Sequence, residues 1–416
     1  LAAPGLQTTL RSAIQELNLL PVGPMYTINI STPNLVLTFA GAGEDLCLTG
    51  ALDIRNNVTI HGGNANIDAS ALGDRAFHMP AGSYRVDIFN VVVFGGVSAP
   101  LGPGIPGAGG AIKQDAGELV VTNSSFFQNS AVGGANSHGG AIHSSSRMVT
   151  NGCYFENNTA SGHGGAVYSS NYHGATNDIY IVNDATRRGG AVCSDGFYDT
   201  ISCIYSMNTA QLQGGGVYIG TGATGSFLYD HFERNDSASS GGGLANAGPI
   251  NVFECRFLVN HCTGSGGAIR VSDLCTIDQT TLDGNAADSF GGAISVDLSG
   301  NATISQIDAF LNIARQSGGA ISNGGVLDLT HSSLHDNWAH GTAATSAGGG
   351  GLYNLGYANI INSTIFFNNA PAGIGGGILN NGVNSTVDCT SATIVNNIAT
   401  NGSAVYNGGG FGPAFF

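Results

Sequence analysis

The chain has 416 residues, a formal net charge of −15 and an isoelectric point near 4.8. Glycine supplies 66 residues and charged side chains 9%, while 42% of the residues are hydrophobic. This composition favours a folded core over disorder. The acidic balance excludes binding to a nucleic-acid backbone, and no apolar run approaches the roughly 20 residues that a membrane-spanning helix needs.

The first predicted element is an amphipathic helix within residues 1–20. In the segment "TTLRSAIQELN", Leu10, Ile14 and Leu17 recur at helical spacing and form one apolar stripe. The open end of a β-sheet stack exposes unpaired backbone and core, so we expect this helix to cap such an end. Residues 21–108 contain strand-like runs such as "YTINIS" and are predicted to form irregular first coils.

Residues 109–416 repeat a pattern of about 25–27 residues. Each copy carries two glycines and a small or branched apolar residue, and five of the ten intervals between full copies are 25 residues long. An apolar residue followed three positions later by asparagine precedes most copies, as in "FENNTASGHGGAV". Intervening strings such as "VLDLTHSSL" alternate apolar and polar residues, as half-buried strands do.

Such a period without a helical pattern is typical of a solenoid. A single coil cannot bury its inward face, so coils must stack with their strands in parallel. The sequence therefore predicts an all-β parallel β-helix of about 15 coils with a short N-terminal capping helix.

The recurring asparagine is predicted to form an amide ladder. Asparagine tolerates a left-handed backbone and bonds turn backbone, and identical amides on stacked coils bond to one another. The predicted ladder residues are Asn158, Asn183, Asn208, Asn235, Asn260, Asn285, Asn312 and Asn337. A second file is predicted at Asn246, Asn323, Asn354, Asn380 and Asn407.

The eight cysteines show neither a CxxC pair typical of zinc nor the spacing of a disulfide framework. Cys153, Cys203 and Cys255 recur at one position of the repeat, on alternate coils and about 10 Å apart, which is too far to bridge. We expect buried free thiols at these positions.

The alternation of GGA[I/V] with FxxN resembles the repeat of the polymorphic outer-membrane protein family. The N-terminal run from "LRSAIQELN" to "DRAFHM" is similar to the CSLREA-type region that precedes such repeats in bacterial surface proteins, although the Cys and Glu of that motif are absent here. The resemblance implies a right-handed, pectin-lyase-like β-helix and a secreted or surface location. It implies no particular activity.

Two histidines are the metal candidates. His138 and His163 each precede a glycine pair, so we expect them on neighbouring coils about 5 Å apart, where they could share a metal ion. The same position is Arg188 in the next copy, which supplies no third ligand. The segment "GTGATG" at 220–225 matches a dinucleotide motif, but strand-like residues follow it, and no cofactor is predicted.

A polysaccharide lyase or glycoside hydrolase is the alternative function. Such chemistry needs carboxylates that hold a cation or flank the scissile bond. Asp273 and Asp297 fall near equivalent positions of successive coils, Asp278 and Asp283 lie nearby, and Arg270 is the closest base. Scattered acids on solvated turns explain the pattern equally well, and no catalytic residue is assigned.

Three insertions interrupt the repeat at corresponding turns. They are the Pro-rich segment 95–108 and the long spacings from Asn129 to Gly139 and from Asn337 to Gly349. They are predicted to lie along one edge of the solenoid, where they either form a binding face or are tolerated loop variation. The C-terminal "AVYNGGGFGPAFF" offers no polar cap, which leaves continuation, docking or folding back as alternatives.

We therefore expect a secreted or surface-exposed structural or adhesive β-solenoid. The chain begins at Leu1 without an initiator Met or leader, as a mature product would. End-to-end assembly into an extracellular filament or matrix is a further hypothesis, since a non-closing contact grows indefinitely. The predicted partners are the chain itself or cell-surface and matrix glycans or proteins, with no nucleic acid and no membrane span.

Overall fold

The computed structural model describes residues 9–41, 47–100, 107–341, 347–408 and 414–415. The chain is an all-β parallel β-solenoid of about 13 turns with one short helix near the N-terminus. The prediction of about 15 coils was slightly too high because the first coils are long. Val58 pairs with Val86, and Val86 pairs with Leu119, so these coils take 28 and 33 residues.

The helix spans Leu10–Asn18 and begins at Thr9, whose hydroxyl accepts the main-chain N–H of Ser12. Leu10, Ile14 and Leu17 are buried, as the apolar stripe predicted. Arg11 is also buried, and its guanidinium donates to the carbonyl oxygens of Cys47, Gly50 and Ala51. The helix is thus tied to the backbone of the segment that leads into the first coils.

The chain divides into two compact units, residues 1–199 and 200–416, with strand Phe197–Ile201 crossing the boundary. In both units the coils run in the order sheet A, sheet C, sheet B. In the first unit, sheet A contains Tyr26–Asn29, Asn34–Val36, Val58–Asp68, Arg85–Phe94, Glu118–Thr122, Ser125–Phe127, Arg147–Asn151, Tyr154–Glu156, Tyr172–Thr176 and Ile179–Ile181. Its sheet B contains Leu52–Asp53, Phe77–Met79, Ile112–Gln114, Ile142–Ser144, Val167–Ser169 and Val192–Ser194, and its sheet C contains Val97–Ser98, Ser130–Ala131, Thr159–Ala160 and Asp184–Ala185.

The second unit has the same three sheets. Its sheet A contains Ile204–Ser206, Thr224–Leu228, His231–Glu233, Ile250–Phe253, Arg256–Leu258, Leu274–Asp278, Thr281–Asp283, Asn301–Ser305, Asp308–Phe310, Val326–Thr330, Ser333–His335, Tyr357–Ile361, Thr364–Phe366, Thr386–Thr390, Thr393–Val395 and Ala414–Phe415. Its sheet B contains Val217–Ile219, Leu244–Asn246, Ile269–Val271, Ile294–Val296, Ile321–Asn323, Leu352–Asn354, Ile378–Asn380 and Val405–Asn407. Its sheet C contains Thr209–Ala210, Asp236–Ser237, His261–Cys262, Ala286–Ala287, Ile313–Ala314, Trp338–Ala339, Asn369–Ile374 and Ile398–Asn401.

The glycine pair makes the bend between sheets C and B. Gly164 has φ +65°, a left-handed conformation that costs other residues steric strain. A Cβ on Gly165 would lie 2.1 Å from the carbonyl oxygen of Gly190 in the next coil. The first glycine of each pair is therefore needed for its left-handed conformation, and the second because neighbouring coils approach closely there.

Apolar side chains stack along the interior of each unit. In the first unit the rings of Phe126 and Phe155 lie 5.0 Å apart, and Phe155 and Tyr180 lie 4.8 Å apart. In the second unit the ring of Phe232 lies 4.5 Å from that of Phe257. These rings are buried and nearly parallel, and they fill the core as the repeat predicts. Over the described residues, no helix is long and apolar enough to span a bilayer.

Candidate functional surfaces

The interior asparagine ladder has the same bonding scheme within each unit. The side-chain oxygen of Asn183 accepts both the main-chain N–H and the side-chain Nδ2–H of Asn158, each at 3.0 Å. The Nδ2 of Asn158 also donates to the carbonyl oxygen of Phe126 at 2.9 Å. These amides are buried and hydrogen-bonded, so they hold neighbouring coils in register.

The structure places all eight predicted asparagines in this file and extends it. In the first unit the ladder begins one coil earlier, at Asn129, and in the second it continues through Asn368 and Asn397. Each of the three follows an apolar residue three positions before it, so the repeat pattern was sufficient to find them. A second ladder joins side chains of Asn323, Asn354, Asn380 and Asn407.

A third interior file contains two buried carboxyl groups. Asp178 accepts the main-chain N–H of Cys153 at 2.7 Å, and Asp230 accepts that of Cys203 at 2.7 Å. Both carboxyls are almost fully removed from water. Burial raises the pKa of each to about 7, because it disfavours the charged form.

The cysteines are structural. Cys153 and Cys255 are buried free thiols, as predicted, and Cys203 is also buried. Burial raises the pKa of the thiols of Cys153 and Cys255. Since the thiolate is the reactive form, these positions suit packing and not nucleophilic chemistry.

The two candidate metal-binding histidines lie side by side on neighbouring coils. The ring centroids of His138 and His163 are 4.9 Å apart, and Nδ1 of His138 accepts the main-chain N–H of His163 at 3.0 Å. His143 and Tyr168 join them, with the Tyr168 ring 4.7 Å from His138 and 5.1 Å from His143. Within the part of the chain that the structure describes, no group of three or more His, Cys, Asp or Glu side chains is placed to hold a metal ion.

Burial is the main influence on these imidazoles. It lowers the pKa of His138 and of His163 to about 4, and that of His143 to about 3. The rings are therefore neutral at pH 7. The sequence pattern identified His138 and His163 but missed His143 and Tyr168, because these lie on sheet B beyond the glycine bend.

The acidic residues considered for polysaccharide cleavage lie on different sheets of the coil. The carboxylate of Asp297 forms an ion pair with the guanidinium of Arg270 at 2.6 Å and accepts a hydrogen bond from the hydroxyl of Ser272 at 2.7 Å. Asp278 and Asp283 lie on strands of sheet A, whereas Asp297 follows a strand of sheet B. Ion pairing and hydrogen bonding account for Asp297, so these contacts add no support to that alternative.

The segment "GTGATG" is followed by a strand, as expected, and not by a helix. Thr224–Leu228 is part of sheet A, and the turn before it is closed by a bond from Ala223 N–H to the Gly220 carbonyl. No helix N-terminus is present there to receive a phosphate.

The three insertions follow strands of sheet C and precede the glycine bend. In the first unit, segments 95–108 and 130–138 are neighbours, with Ser130 paired to Val97 and Ala108 bridged to His138. The third insertion holds the equivalent position in the second unit, after Trp338–Ala339. Residues 101–106 and 342–346 of these insertions, and most of the C-terminal tail, lie outside the described residues.

A row of exposed apolar side chains runs along the corner between sheets A and C of the second unit. We call it the apolar edge; Trp338 is 39% exposed, Phe367 52% and Ile398 59%. In sheet C, Ile313 pairs with Trp338, and Asn369 lies between Trp338 and Ile398. Val395 is on the neighbouring strand of sheet A, where it pairs with Phe366. The apolar edge comprises Leu311, Ile313, Trp338, Phe367, Val395 and Ile398.

Charged and aromatic groups flank the apolar edge. His335 stacks between Phe310 and Phe366, with centroid distances of 5.2 and 4.8 Å. Its ring nitrogens bond to Asp308 at 3.1 Å and Asp336 at 2.8 Å, and both carboxylates are about half exposed. An exposed apolar row with an acidic border is typical of an interaction surface.

Residues 152–170 match the Chlamydia polymorphic membrane protein repeat. The matched segment lies within the first unit and contains the asparagine and glycine pair of one coil, including Asn158 and Gly164. No curated protein and no solved structure matches the chain. The similarity supports a polymorphic membrane protein-like repeat β-helix, while the likeness of the N-terminal region to the CSLREA type remains a prediction.

Proposed function

We propose that this chain is a secreted or surface-exposed structural protein that adheres to a partner protein through its apolar edge. The observation that carries the proposal is the exposure of Trp338, Phe367 and Ile398 in one row of the second unit. Large apolar side chains that are exposed close to one another are typical of interaction sites. The match to the Chlamydia polymorphic membrane protein repeat supports a surface location.

The chemistry of the edge favours a protein partner with apolar side chains bordered by basic groups. The carboxylates of Asp308 and Asp336 flank the row and are about half exposed. The chain as a whole carries a net charge of −15. Opposite charge on the partner would speed association and orient the contact, while the apolar row would supply most of the affinity.

Attachment of coated beads tests the proposal. Beads that carry the whole chain are applied to cultured epithelial cells and to immobilised laminin, collagen and fibronectin. We expect saturable attachment above that of albumin-coated beads, and attachment should fall when soluble chain is added as competitor. Attachment no greater than that of albumin-coated beads would contradict the proposal.

A double variant locates the contact. Trp338→Ser with Phe367→Ser removes the two aromatic members of the edge, and we expect it to lower attachment by more than about tenfold. The matched control is Leu298→Ser, since Leu298 is 90% exposed in the same unit but lies outside the edge. Equal attachment of the double variant and the control would contradict a role for the edge.

End-to-end assembly is a second part of the proposal, and the low share of charged residues, 9%, would also permit close lateral packing of the assembled chains. Electron microscopy of the purified chain at increasing concentration tests it. We expect filaments whose length grows with concentration, and dispersed single particles at the highest concentration would contradict assembly.

A further inference from the structure

Outward-facing residues follow one another along the corner between sheets A and C of the second unit. In seven successive coils, the residue directly after the second sheet A strand has a left-handed backbone, with φ between +52° and +64°. Each of these residues precedes a ladder asparagine by one position, so the seven hold equivalent places in their coils. We call them the corner row: Met207, Arg234, Val259, Gly284, Leu311, Asp336 and Phe367.

Exposed apolar side chains alternate with other residues along the corner row. The apolar members occupy every second coil and are each 44–54% exposed, namely Met207, Val259, Leu311 and Phe367. In the coils between them, the side chain of Arg234 is 60% exposed and that of Asp336 is 48% exposed. The corner row therefore presents four apolar projections, with one cation and one anion placed symmetrically about Gly284.

The corner row has nearly the same chemistry when read from either end. Each direction gives an apolar residue, a charged residue, an apolar residue and then the central Gly284, and only the sign of the charge differs. A twofold rotation about an axis through Gly284 reverses the row, so it brings Arg234 opposite Asp336 of a second copy. The same rotation brings the apolar members opposite one another, Met207 with Phe367 and Val259 with Leu311.

Gly284 leaves room for two copies to approach at the twofold axis. The nearest atom to a Cβ placed on Gly284 is Cγ2 of Val259 at 3.6 Å, an ordinary van der Waals contact. Val259 and Leu311 adopt the same left-handed conformation in the adjacent coils. Packing within the chain therefore does not require a missing side chain at this position, whereas close approach of a second copy does.

The charged members of the corner row each have a partner within their own chain. Arg234 pairs with Glu233, and Asp336 pairs with His335. The twofold rotation places these two pairs face to face, so hydrogen-bond donors and acceptors alternate among the four side chains. Symmetry produces this contact twice. Asp283, which precedes the central glycine, comes opposite its own copy and is a like-charged contact at the centre.

The charges favour an antiparallel arrangement of the two copies over a parallel one. If both copies ran in the same direction in register, Arg234 would face Arg234 and Asp336 would face Asp336. Like charges placed together at an interface are strongly unfavourable, whereas opposite charges fix direction and register.

We propose that a second copy of this chain docks on the corner row and forms an antiparallel dimer with twofold symmetry. The apolar members supply most of the affinity, and the two contacts between Arg234 and Asp336 set the register. Seven coils span only about 29 Å at the usual strand spacing, so we expect association in the micromolar range. The dimer does not rest on the adhesive function, although Leu311 and Phe367 belong to both surfaces.

Sedimentation equilibrium of the whole chain tests the dimer. We expect the mass to rise with concentration from monomer to dimer and to stop there, because a twofold contact closes. Arg234→Asp and Asp336→Arg each create a like-charged contact twice and should weaken association by more than about tenfold. The matched control is Glu254→Arg, at an exposed corner of the same unit with φ +49°, and it should dimerise as the wild type does.

Mixing the two single variants separates an interface effect from a folding defect. An Arg234→Asp chain opposite an Asp336→Arg chain has opposite charges at both contacts. The mixture should therefore associate about as tightly as the wild type, although neither variant does so alone. A variant that failed to fold would not be rescued in this way.

Removal of the central repulsion gives a change in the opposite direction. Asp283→Asn should tighten the dimer several-fold, because a neutral amide replaces the carboxylate that faces its own copy. Sedimentation equilibrium measures this gain. Weaker association of Asp283→Asn than of the wild type would contradict the twofold axis at Gly284.

Three results would overturn the dimer. They are a monomeric wild type at the highest concentration, no recovery of association on mixing, and a mass that grows beyond the dimer and is unaffected by either charge variant. The last result would assign association to the chain ends. Bead attachment by a chain that stays monomeric would contradict the dimer and leave the adhesive proposal standing, whereas dimerisation without attachment would do the reverse.

Discussion

Asparagine side chains stabilise this fold because they provide hydrogen-bond partners for buried main-chain groups inside each coil. In the second unit, Asn260 accepts from the main chain and side chain of Asn235, and its own Nδ2 donates to Phe232 and Asn285. Each member thus satisfies several buried groups at once. Loss of the Asn260 amide removes hydrogen bonds to three neighbours and leaves the buried main-chain N–H of Asn235 without its acceptor.

Asn260→Ala should therefore lower the free energy of unfolding by about 3 kcal/mol, because the partners it leaves behind stay buried. Urea unfolding followed by circular dichroism measures the change. The control is Asn251→Ala, at an exposed position of sheet A in the same unit, which should change stability by less than about 0.5 kcal/mol. Similar effects of the two substitutions would contradict the structural role of the ladder.

The buried carboxyl of Asp230 makes stability depend on pH. Its pKa is raised to about 7, against about 3.9 in an unfolded chain, so the folded state prefers the neutral form. This contribution is complete below pH 3.9 and is lost as the pH rises through 7. Asp230→Asn keeps the acceptor for the Cys203 N–H without the charge. It should raise the free energy of unfolding at pH 8 by about 2–4 kcal/mol and change it little at pH 4.

Thermal unfolding of wild type and Asp230→Asn across pH 4–8 checks this expectation. The exposed Asp199→Asn serves as the control and should leave the pH profile unchanged. Parallel pH profiles of wild type and Asp230→Asn would show that the carboxyl is charged, or solvated, in the folded chain.

At the scale of the coil, the first glycine of the bend lies close to main-chain atoms of its own coil. Gly291 and Gly284 have the same φ of +64°, seven residues apart in the second unit. A Cβ on Gly291 would lie 2.1 Å from the Ile294 carbonyl oxygen, whereas the nearest atom to one on Gly284 is Val259 Cγ2 at 3.6 Å. Substitutions at Gly291 and Gly284 therefore distinguish the requirement for space from the requirement for a left-handed backbone.

Gly291→Asn should destabilise the chain by more than about 3 kcal/mol, because the side chain meets backbone that cannot move alone. Gly284→Asn should cost less than about 1 kcal/mol, since asparagine tolerates the left-handed region. Denaturant unfolding of both variants measures the difference. Equal losses would show that the left-handed conformation alone, and not the close approach of the Ile294 carbonyl, explains the recurrence of glycine at this position along the chain.

The elements that the sequence predicts well are those that recur. Asn158 and Gly164 could be assigned to a ladder and a bend because each position repeats along the chain. Phe367 was harder to place: Ile365 points inward and Phe366 outward, but Phe367 has φ +54° and breaks the alternation. A left-handed residue at the corner turns an apolar side chain outward where period-two reasoning expects core.

Contacts between residues on neighbouring coils are the other feature that the sequence alone does not predict. His143 and Tyr168 follow His138 and His163 by five residues each, and one glycine bend and one coil of register bring the four rings together. Sites of this kind depend on residues that depart from the repeat.

At the scale of the whole molecule, the interior and the exterior have different tasks. Interior positions are occupied by stacked rings, aliphatic side chains and amide ladders that satisfy one another. The candidate interaction group, the apolar edge of the second unit, lies on the outer side of the coils. The central claim is that the repeat builds a scaffold and that exposed residues carry the binding function.

Bead attachment measured side by side for an edge variant and a ladder variant tests this claim most directly. Trp338→Ser with Phe367→Ser should lose attachment while its unfolding midpoint stays at the wild-type value. Asn260→Ala, assayed at a temperature where it remains folded, should attach as well as the wild type despite its lower unfolding midpoint. Wild-type attachment by the edge variant, together with loss of attachment by the folded ladder variant, would contradict the account.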